Sequence, residues 1–327
     1  VALGLAWRGG GALALFWGSF AQQVARTAIA QWRAGFVLPW PLQVKGMAPI
    51  MEIAGTNSVQ AICTSVTARA PELVIGQLIG NAAVGLFARA AGLALQLRML
   101  LAGAVTGVFY PAFRKVRDRG EPLGPPYLRV VAAYTGITWP AMAGIAILAE
   151  PLVRLLYGER WIGAAPLLVY LALSQIFQVA LPLYADLPIL LGRKRRLIQC
   201  YFAEMAISVL LLAIAAPYGL AWVAISRIAT GFAFVAIYAP LMRSMLDFAW
   251  RDLTIIYLRS AAVTVAAIAP AIAFYRIWDA PEQTGFVQML CAAGLGAMAW
   301  LATLWLLRHP LLQEVVALTR QLTGAIT

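Results

Sequence analysis

The side chains with the most chemistry to offer are cationic groups that stand inside apolar stretches of the chain. Arg26, Arg89, Arg98 and Arg227 all fall within segments long enough to cross a bilayer. An ionised side chain at the centre of a membrane helix costs about 2.5–3.5 kcal/mol or more, so such residues usually face a cavity or a partner. A guanidinium presents parallel N–H donors that match two phosphate oxygens. The four arginines therefore predict a water-filled cavity that binds an anionic group.

Polar side chains recur at helical spacing in another of these stretches. Glu52, Thr56, Gln60 and Thr64 lie four residues apart, with Asn57 beside them, which predicts one polar face of a helix. Amide, hydroxyl and carboxylate groups can replace the hydrogen bonds that a polar solute loses on leaving water. Glu52, Asn57 and Gln60 are therefore further candidates for the cavity lining.

A single carboxylate in a separate stretch is the candidate for ion coupling. Glu204 lies one helical turn before Ser208 in a segment that is otherwise almost entirely apolar. A carboxylate inside a membrane span usually marks an ion pathway or a proton relay, and Glu204 is the candidate for that role.

The sequence contains no pattern for a metal, a cofactor or a catalytic centre. The only histidine is His309, and Cys63, Cys200 and Cys291 lie far apart without metal-ligand spacing. We find no nucleophile–base pair. The chain is therefore predicted to be no enzyme and to need no cofactor.

The elements that position these residues are predicted to be membrane-spanning helices. Hydrophobic residues make up 62% of the chain and charged residues 12%, and the mean hydropathy is +0.81. A water-soluble domain cannot hide so much apolar surface, whereas lipid can. No segment shows the alternation of a barrel strand, so we predict an all-α, polytopic membrane helical bundle. Its nine candidate spans are residues 10–32, 47–68, 82–112, 127–150, 164–191, 197–216, 218–242, 254–277 and 286–307.

The basic residues indicate how these spans are oriented. The net charge is +12, and most of the Lys and Arg residues fall in loops on one side, including the run from Arg193 to Arg196. Positive loops mark the cytoplasmic side of a membrane protein. We therefore expect the basic loops and the C-terminus in the cytoplasm, and the charge does not point to a nucleic-acid partner.

Two stretches resemble a known family. The first reads ELVIGQLIGNAAVGLFARA from Glu72 to Ala90 and is followed by VFYPAFR from Val108 to Arg114. The second reads LAEPLVRLLYGERW from Leu148 to Trp161. Both are similar to the polysaccharide-transport branch of the multidrug/oligosaccharidyl-lipid/polysaccharide exporter superfamily, which contains bacterial O-antigen and exopolysaccharide flippases. Phe87 and Ala88 replace the Tyr-Ser that often stands there, which leaves Arg89 as the matching charge.

The resemblance implies a two-lobe exporter fold of which this chain holds the later part. Residues 1–46 would be the last helix of the first lobe and the inter-lobe linker. Residues 47–243 would form the second six-helix lobe, and residues 244–327 two additional C-terminal helices and a cytoplasmic tail. Since the chain begins at Val1, we expect it to start inside a longer protein.

The resemblance also implies a function. A flippase of this branch translocates an undecaprenyl-diphosphate-linked oligosaccharide across the bacterial inner membrane by alternating access, for O-antigen, capsule or exopolysaccharide biosynthesis. The expected partners are the polyprenyl-diphosphate-linked oligosaccharide, membrane lipid, and a polysaccharide polymerase with its chain-length regulator.

Other interpretations remain open at this point. The chain could belong to a drug or cation antiporter of the same superfamily, to a membrane glycan polymerase or ligase, or to a non-functional fragment. Individual residues also have simpler roles: Arg26 could extend to the membrane interface, Arg89 could pair with Glu72, and Glu52 could pair with Lys45.

Overall fold

Helices make up nearly all of the part of the chain that the structure describes. This computed structural model describes residues 7, 11–33, 48–277 and 286–307, and none of them lies in a β-strand. The chain forms two units, residues 1–53 and 54–327. The smaller unit contains helix α1 (Gly11–Arg33) and the first residues of α2 (Ala48–Leu78).

The larger unit contains the rest of α2 and the helices that follow it. These are α3 (Asn81–Asp118), α4 (Gly124–Ile147), α5 (Ala149–Tyr157), α6 (Ala165–Gln178), α7 (Asp186–Leu190), α8 (Lys194–Ala215), α9 (Leu220–Leu246), α10 (Trp250–Ile277) and α11 (Phe286–Leu306). Two short 3-10 helices, Glu159–Ala164 and Ala216–Tyr218, precede α6 and follow α8.

The prediction of an all-α polytopic membrane bundle is confirmed. Among the described residues, seven helices are long and apolar enough to cross a membrane. They are α3, α4, α6 with the preceding 3-10 turn, α8 with the following one, α9, α10 and α11. The other two predicted spans coincide with α1 and α2, which carry more polar residues, and their membrane crossing stays a prediction.

One predicted span is interrupted. The segment 164–191 forms α6, then an irregular stretch from residue 179 to 185, and then the short helix α7. Pro182 lies in that stretch and has no N–H to donate to the carbonyl of Gln178, so a helix continued through it would lack one hydrogen bond. Leu183 adopts the left-handed conformation, with φ 57°. The hydroxyl of Tyr257 on α10 donates to the carbonyl of Ala180 in the stretch (2.9 Å).

Helix α4 lies at the centre of the larger unit. It contacts α3, α6 and α10, and all of its residues from Val130 to Gly136 are buried. Pro140 interrupts the backbone hydrogen bonds of this helix, because it has no N–H to offer to the carbonyl of Gly136. The indole Nε1 of Trp300 on α11 donates to that carbonyl instead (2.8 Å). The same bond also attaches α11 to the centre of the bundle.

Glycine permits a close approach between α10 and α11. A Cβ atom on Gly296 would stand 2.8 Å from the backbone oxygen of Ala267, a distance that real contacts do not show. Gly294, two residues earlier on the same helix, has nothing within 4 Å of that position. The two glycines therefore form a matched pair for testing the helix contact.

We predict that Gly296→Ala weakens the packing of α11 on α10, with a loss of about 1–3 kcal/mol of stability, because overpacking forces the backbones apart. Gly294→Ala should be neutral or stabilising, because alanine favours helix in open space. Thermal unfolding of both variants in detergent measures the difference. Equal midpoints for the two variants would contradict the close approach.

Candidate functional site

A polar cavity of about 520 Å³ lies within the larger unit. Its walls come from α2, α3, α6, α8 and α9, with Tyr184 from the break between α6 and α7. The charged residues that line it are Arg69, Glu72, Arg98, Glu204 and Arg227. The neutral polar residues are Thr64, Thr67, Gln175, Gln178, Tyr184 and Tyr201. Such a volume is in the range of sites that hold one small ligand, about 300–1,000 Å³.

The walls are held in place by the hydrophobic clusters behind them. Phe87 and Leu171 line the cavity and also belong to one buried cluster. Cys63 and Tyr201 line it and belong to a second. Because these lining residues are packed from behind, the polar groups beside them have fixed positions.

Arg227 joins three helices at one wall of the cavity. It lies on α9, and its Nη1 donates to the hydroxyl of Ser208 on α8 (2.9 Å) and to the backbone carbonyl of Thr67 on α2 (3.5 Å). A charge inside a membrane bundle is tolerated where such partners are available. Arg227 therefore belongs to both the structure of the bundle and the charge of the cavity.

Pro71 explains why the carbonyl of Thr67 can accept this bond. In an uninterrupted helix the N–H four residues later would donate to it, but position 71 is a proline inside α2 and has no N–H. A carbonyl without a partner in the apolar bundle costs free energy, which the guanidinium of Arg227 relieves.

Glu204 lies on α8, one helical turn before Ser208. Its Oε2 accepts a hydrogen bond from the hydroxyl of Tyr238 on α9 (2.9 Å). In the described part of the chain, no ion pair shorter than 4.0 Å links Glu204 to Arg227. Each of the two charges is thus held by a neutral partner while both line the same cavity.

Two polar atoms in the cavity walls have no hydrogen-bond partner among the described residues. They are the Nε of Arg98 on α3 and the hydroxyl of Tyr201 on α8, both buried. Buried polar groups in proteins are nearly always paired, so each such exception calls for an explanation.

The charge balance of the cavity is positive. Arg69 and Glu72 pair with each other, with 3.1 Å between Nη1 and Oε2. Among the described residues that line the cavity, two guanidinium groups then remain against the carboxylate of Glu204. A concave site with this balance attracts anions.

Three of the sequence-predicted residues come together here, namely Arg98, Arg227 and Glu204. Arg89 is placed elsewhere. Its guanidinium carbon lies 5.5 Å from the ring centroid of Tyr157 and 5.2 Å from that of Trp161, an arrangement typical of cation–π contacts. The two family-like stretches therefore touch each other through Arg89. Glu72, its alternative partner, pairs with Arg69 instead.

The remaining candidates are not among the described residues that line the cavity. On α2, Asn57 is exposed and Gln60 is half-buried, whereas Thr64 and Thr67 of the same helix do line it. Because a helix has about 3.6 residues per turn, a four-residue repeat drifts around its axis. Arg26 is exposed on α1 in the smaller unit. The side chain of Glu52, and Lys45 as a whole, lie outside the described residues.

Sequence reasoning missed the amides and phenols of the cavity. Gln175 and Gln178 lie one turn apart near the end of α6, and Tyr184 follows in the break. Pro182 after two glutamines in an apolar span is the signal that could have found this interruption. Tyr201 carried no such signal, since an aromatic residue in an apolar helix is ordinary.

Comparison with known proteins identifies the family. Residues 1–166 of the 327 match the family described as "Polysaccharide biosynthesis protein". The chain belongs to this family. The resemblance to the polysaccharide-transport branch is thereby confirmed, and so is the prediction of a multi-pass membrane protein.

Named relatives match shorter segments of this chain. The lipopolysaccharide biosynthesis protein WzxC of Escherichia coli (strain K12) is 25% identical over 122 residues, or 37% of this chain. The succinoglycan biosynthesis transport protein ExoT of Rhizobium meliloti (strain 1021) is 30% identical over 114 residues, or 35% of it. The teichuronic acid biosynthesis protein TuaB of Bacillus subtilis (strain 168) is 22% identical over 149 residues, or 46% of it. The matched segments cover 25%, 23% and 30% of these proteins' own lengths.

We predict that Pro71→Ala restores the missing N–H and closes the hydrogen bond to the carbonyl of Thr67 within α2. The amides around residue 71 should then exchange with deuterium more slowly than in the wild type, because the helix is continuous. Hydrogen–deuterium exchange of the peptide that contains residues 67–75 measures the change. Pro140→Ala, which restores the corresponding bond in α4, should leave that peptide unchanged. Faster exchange in Pro71→Ala would show that the proline does not interrupt the helix as described.

Proposed function

We propose that this chain is the later part of a flippase that moves a polyprenyl-diphosphate-linked oligosaccharide across the bacterial inner membrane for surface polysaccharide biosynthesis. The observation that carries the proposal is the polar cavity between apolar helices, whose described lining includes two guanidinium groups outside ion pairs and the carboxylate of Glu204. Membership of the polysaccharide biosynthesis family supports it. The name of the Rhizobium relative, a transport protein, supports a carrier over an enzyme.

The cavity suits the part of such a substrate that cannot cross lipid unaided. A diphosphate and the sugar joined to it would lose their hydrogen bonds to water in hydrocarbon. Arg98 and Arg227 offer fork-shaped donors for the phosphate oxygens, and the amides and phenols offer partners for hydroxyl groups. The polyprenyl tail can remain in the surrounding lipid throughout, so this cavity needs to accept only the headgroup.

The domain organisation that we propose follows the exporter fold. Residues 1–46 complete a first lobe, residues 47–243 form the second lobe, and residues 244–327 add two helices and a tail. The two lobes would expose the headgroup site to each side of the membrane in turn, by alternating access.

The orientation that we propose follows the basic residues. Arg193, Arg195 and Arg196 are exposed at the start of α8, and Arg243 lies over the ring of Trp250 (5.1 Å) at the end of α9. Basic residues at helix ends are typical of the cytoplasmic interface, and aromatic residues are common at both interfaces. This side and the C-terminus would face the cytoplasm, where lipid-linked sugar units are assembled. A polysaccharide polymerase and its chain-length regulator would be the partners on the outer side.

We predict that Arg98→Ala and Arg227→Ala in the full-length protein each lower headgroup translocation about tenfold or more, since losing a hydrogen bond to a charged group costs about 1.5–3 kcal/mol. The measurement is the leaflet distribution of the lipid-linked sugar unit in cells that lack the wild-type gene. Arg243→Ala removes an exposed arginine outside the cavity and is the control.

The contrary outcomes are equally definite. Normal surface glycan in both cavity variants would refute an anion site at this position. Efflux of ethidium from vesicles that contain the full-length protein, without any translocation of lipid-linked sugar, would favour the drug antiporter. The substrate site of a drug antiporter is expected to be rich in carboxylates. In the cavity described here, the guanidinium groups of Arg98 and Arg227 outnumber the carboxylate of Glu204.

Glu204 is the residue that we propose for ion coupling. Protonation would remove the carboxylate charge and leave the two guanidinium groups uncompensated, which favours binding of an anion. Glu204→Gln retains an oxygen that can accept from Tyr238 but no longer titrates. We predict that translocation by this variant no longer responds when the proton gradient is dissipated, whereas Asp252→Asn, an exposed carboxylate on α10, keeps the wild-type response. An undiminished response in Glu204→Gln would remove this residue from the coupling mechanism.

A further inference from the structure

We propose that the cavity contains a separate subsite for the sugar that is joined directly to the diphosphate, built around the hydroxyl of Tyr201. The inference rests on the proposed flippase function. It assigns a group of the substrate to each part of the cavity. The sugar in the subsite is a neutral one with free hydroxyl or acetamido groups.

The unpartnered hydroxyl of Tyr201 is the first observation. The residue is 1% exposed and lines the cavity, yet its hydroxyl has no hydrogen-bond partner among the described residues. Tyr238, in the same hydrophobic cluster, has its hydroxyl bonded to Glu204 at 2.9 Å. Because Tyr201 lines the cavity, the partner that we propose for its hydroxyl is a ligand bound there.

The chemistry of the two unpartnered atoms in the cavity is different. The Nε of Arg98 can only donate and carries positive charge, which suits a phosphate oxygen. The hydroxyl of Tyr201 is neutral and can both donate and accept, as sugar hydroxyl groups do. Arg98 lies on α3 and Tyr201 on α8, so a single ligand that bonds to both would present a charged group and a neutral hydroxyl-bearing group together. A sugar joined to a diphosphate has this composition.

Neighbouring side chains complete a surface for a sugar ring. The ring of Tyr184 is fixed edge-on against Phe234 (4.8 Å between centroids) and Tyr238 (4.9 Å), and it lines the cavity. Such a ring offers an apolar face to the C–H groups of a sugar and a hydroxyl at its edge. Gln175 and Gln178, one turn apart on α6, add amide donors and acceptors to the same cavity.

The structure also provides a matched control. Tyr127 on α4 is 0% exposed and its hydroxyl has no partner among the described residues either. It packs between Phe113 and Phe248 in another hydrophobic cluster and is not among the residues found to line the cavity. Tyr127→Phe and Tyr201→Phe therefore each remove one unpartnered hydroxyl, but only Tyr201→Phe changes the cavity. Since neither variant breaks a hydrogen bond to another described residue, both should fold like the wild type.

The experiment measures binding to the full-length protein in lipid nanodiscs. The ligands are polyprenyl diphosphate, the same lipid carrying a single hexose, and soluble uridine diphosphate hexose. We expect Tyr201→Phe to weaken binding of the sugar-bearing lipid about threefold to tenfold, as for the loss of one neutral hydrogen bond, and to leave the sugar-free lipid unchanged. Tyr127→Phe should change the binding of neither lipid, and Arg98→Gln should weaken the binding of both.

Each other outcome has a definite meaning. Equal effects of Tyr201→Phe on both lipids, or no effect on either, would overturn the sugar subsite while leaving the flippase proposal intact. Failure of the wild type to bind either lipid would overturn the flippase proposal itself. Tighter binding of the lipid-linked hexose than of the soluble nucleotide supports a lipid-linked substrate, and the reverse order would overturn that assignment.

Discussion

The bond from Arg227 to the carbonyl of Thr67 combines the two demands that a membrane transporter must meet. Lipid cannot solvate a backbone carbonyl or a charge, so each needs a partner inside the protein. Pro71 leaves the carbonyl of Thr67 without its helical partner, and the guanidinium of Arg227 donates to that carbonyl. The guanidinium also donates to the hydroxyl of Ser208. The bundle thereby obtains a positive group beside a polar cavity without leaving either group unsatisfied.

The same constraint explains other contacts between distant helices. Trp300 donates to the carbonyl that Pro140 leaves free in α4, and Tyr257 donates to a carbonyl in the break after α6. In each case a side chain of another helix donates to a backbone oxygen that regular helical hydrogen bonds do not satisfy. Interruptions of helical structure are therefore tolerated where a neighbouring helix can reach them, and they attach that neighbour in return.

The sequence predicted the helices well because apolar length alone marks a membrane span. It also found Arg98, Arg227 and Glu204, since charges in such spans need a cavity or a partner. It could not show which face of α2 turns inward, so Gln60 was chosen although Thr67 lines the cavity. The role of Tyr201 could not be read from the sequence either, because only tertiary packing decides whether a buried phenol finds a partner.

The long sequence separation of these carbonyl contacts also affects how the protein is made. Thr67 and Arg227 are 160 residues apart, and Gly136 and Trp300 are 164 apart. As the nascent chain leaves the ribosome, α2 and α4 are made before the helices that complete their hydrogen bonds. Until then, water, lipid headgroups or the insertion machinery must donate hydrogen bonds to the unpaired carbonyls. These two hydrogen bonds can therefore form only after α9 and α11 have been synthesised.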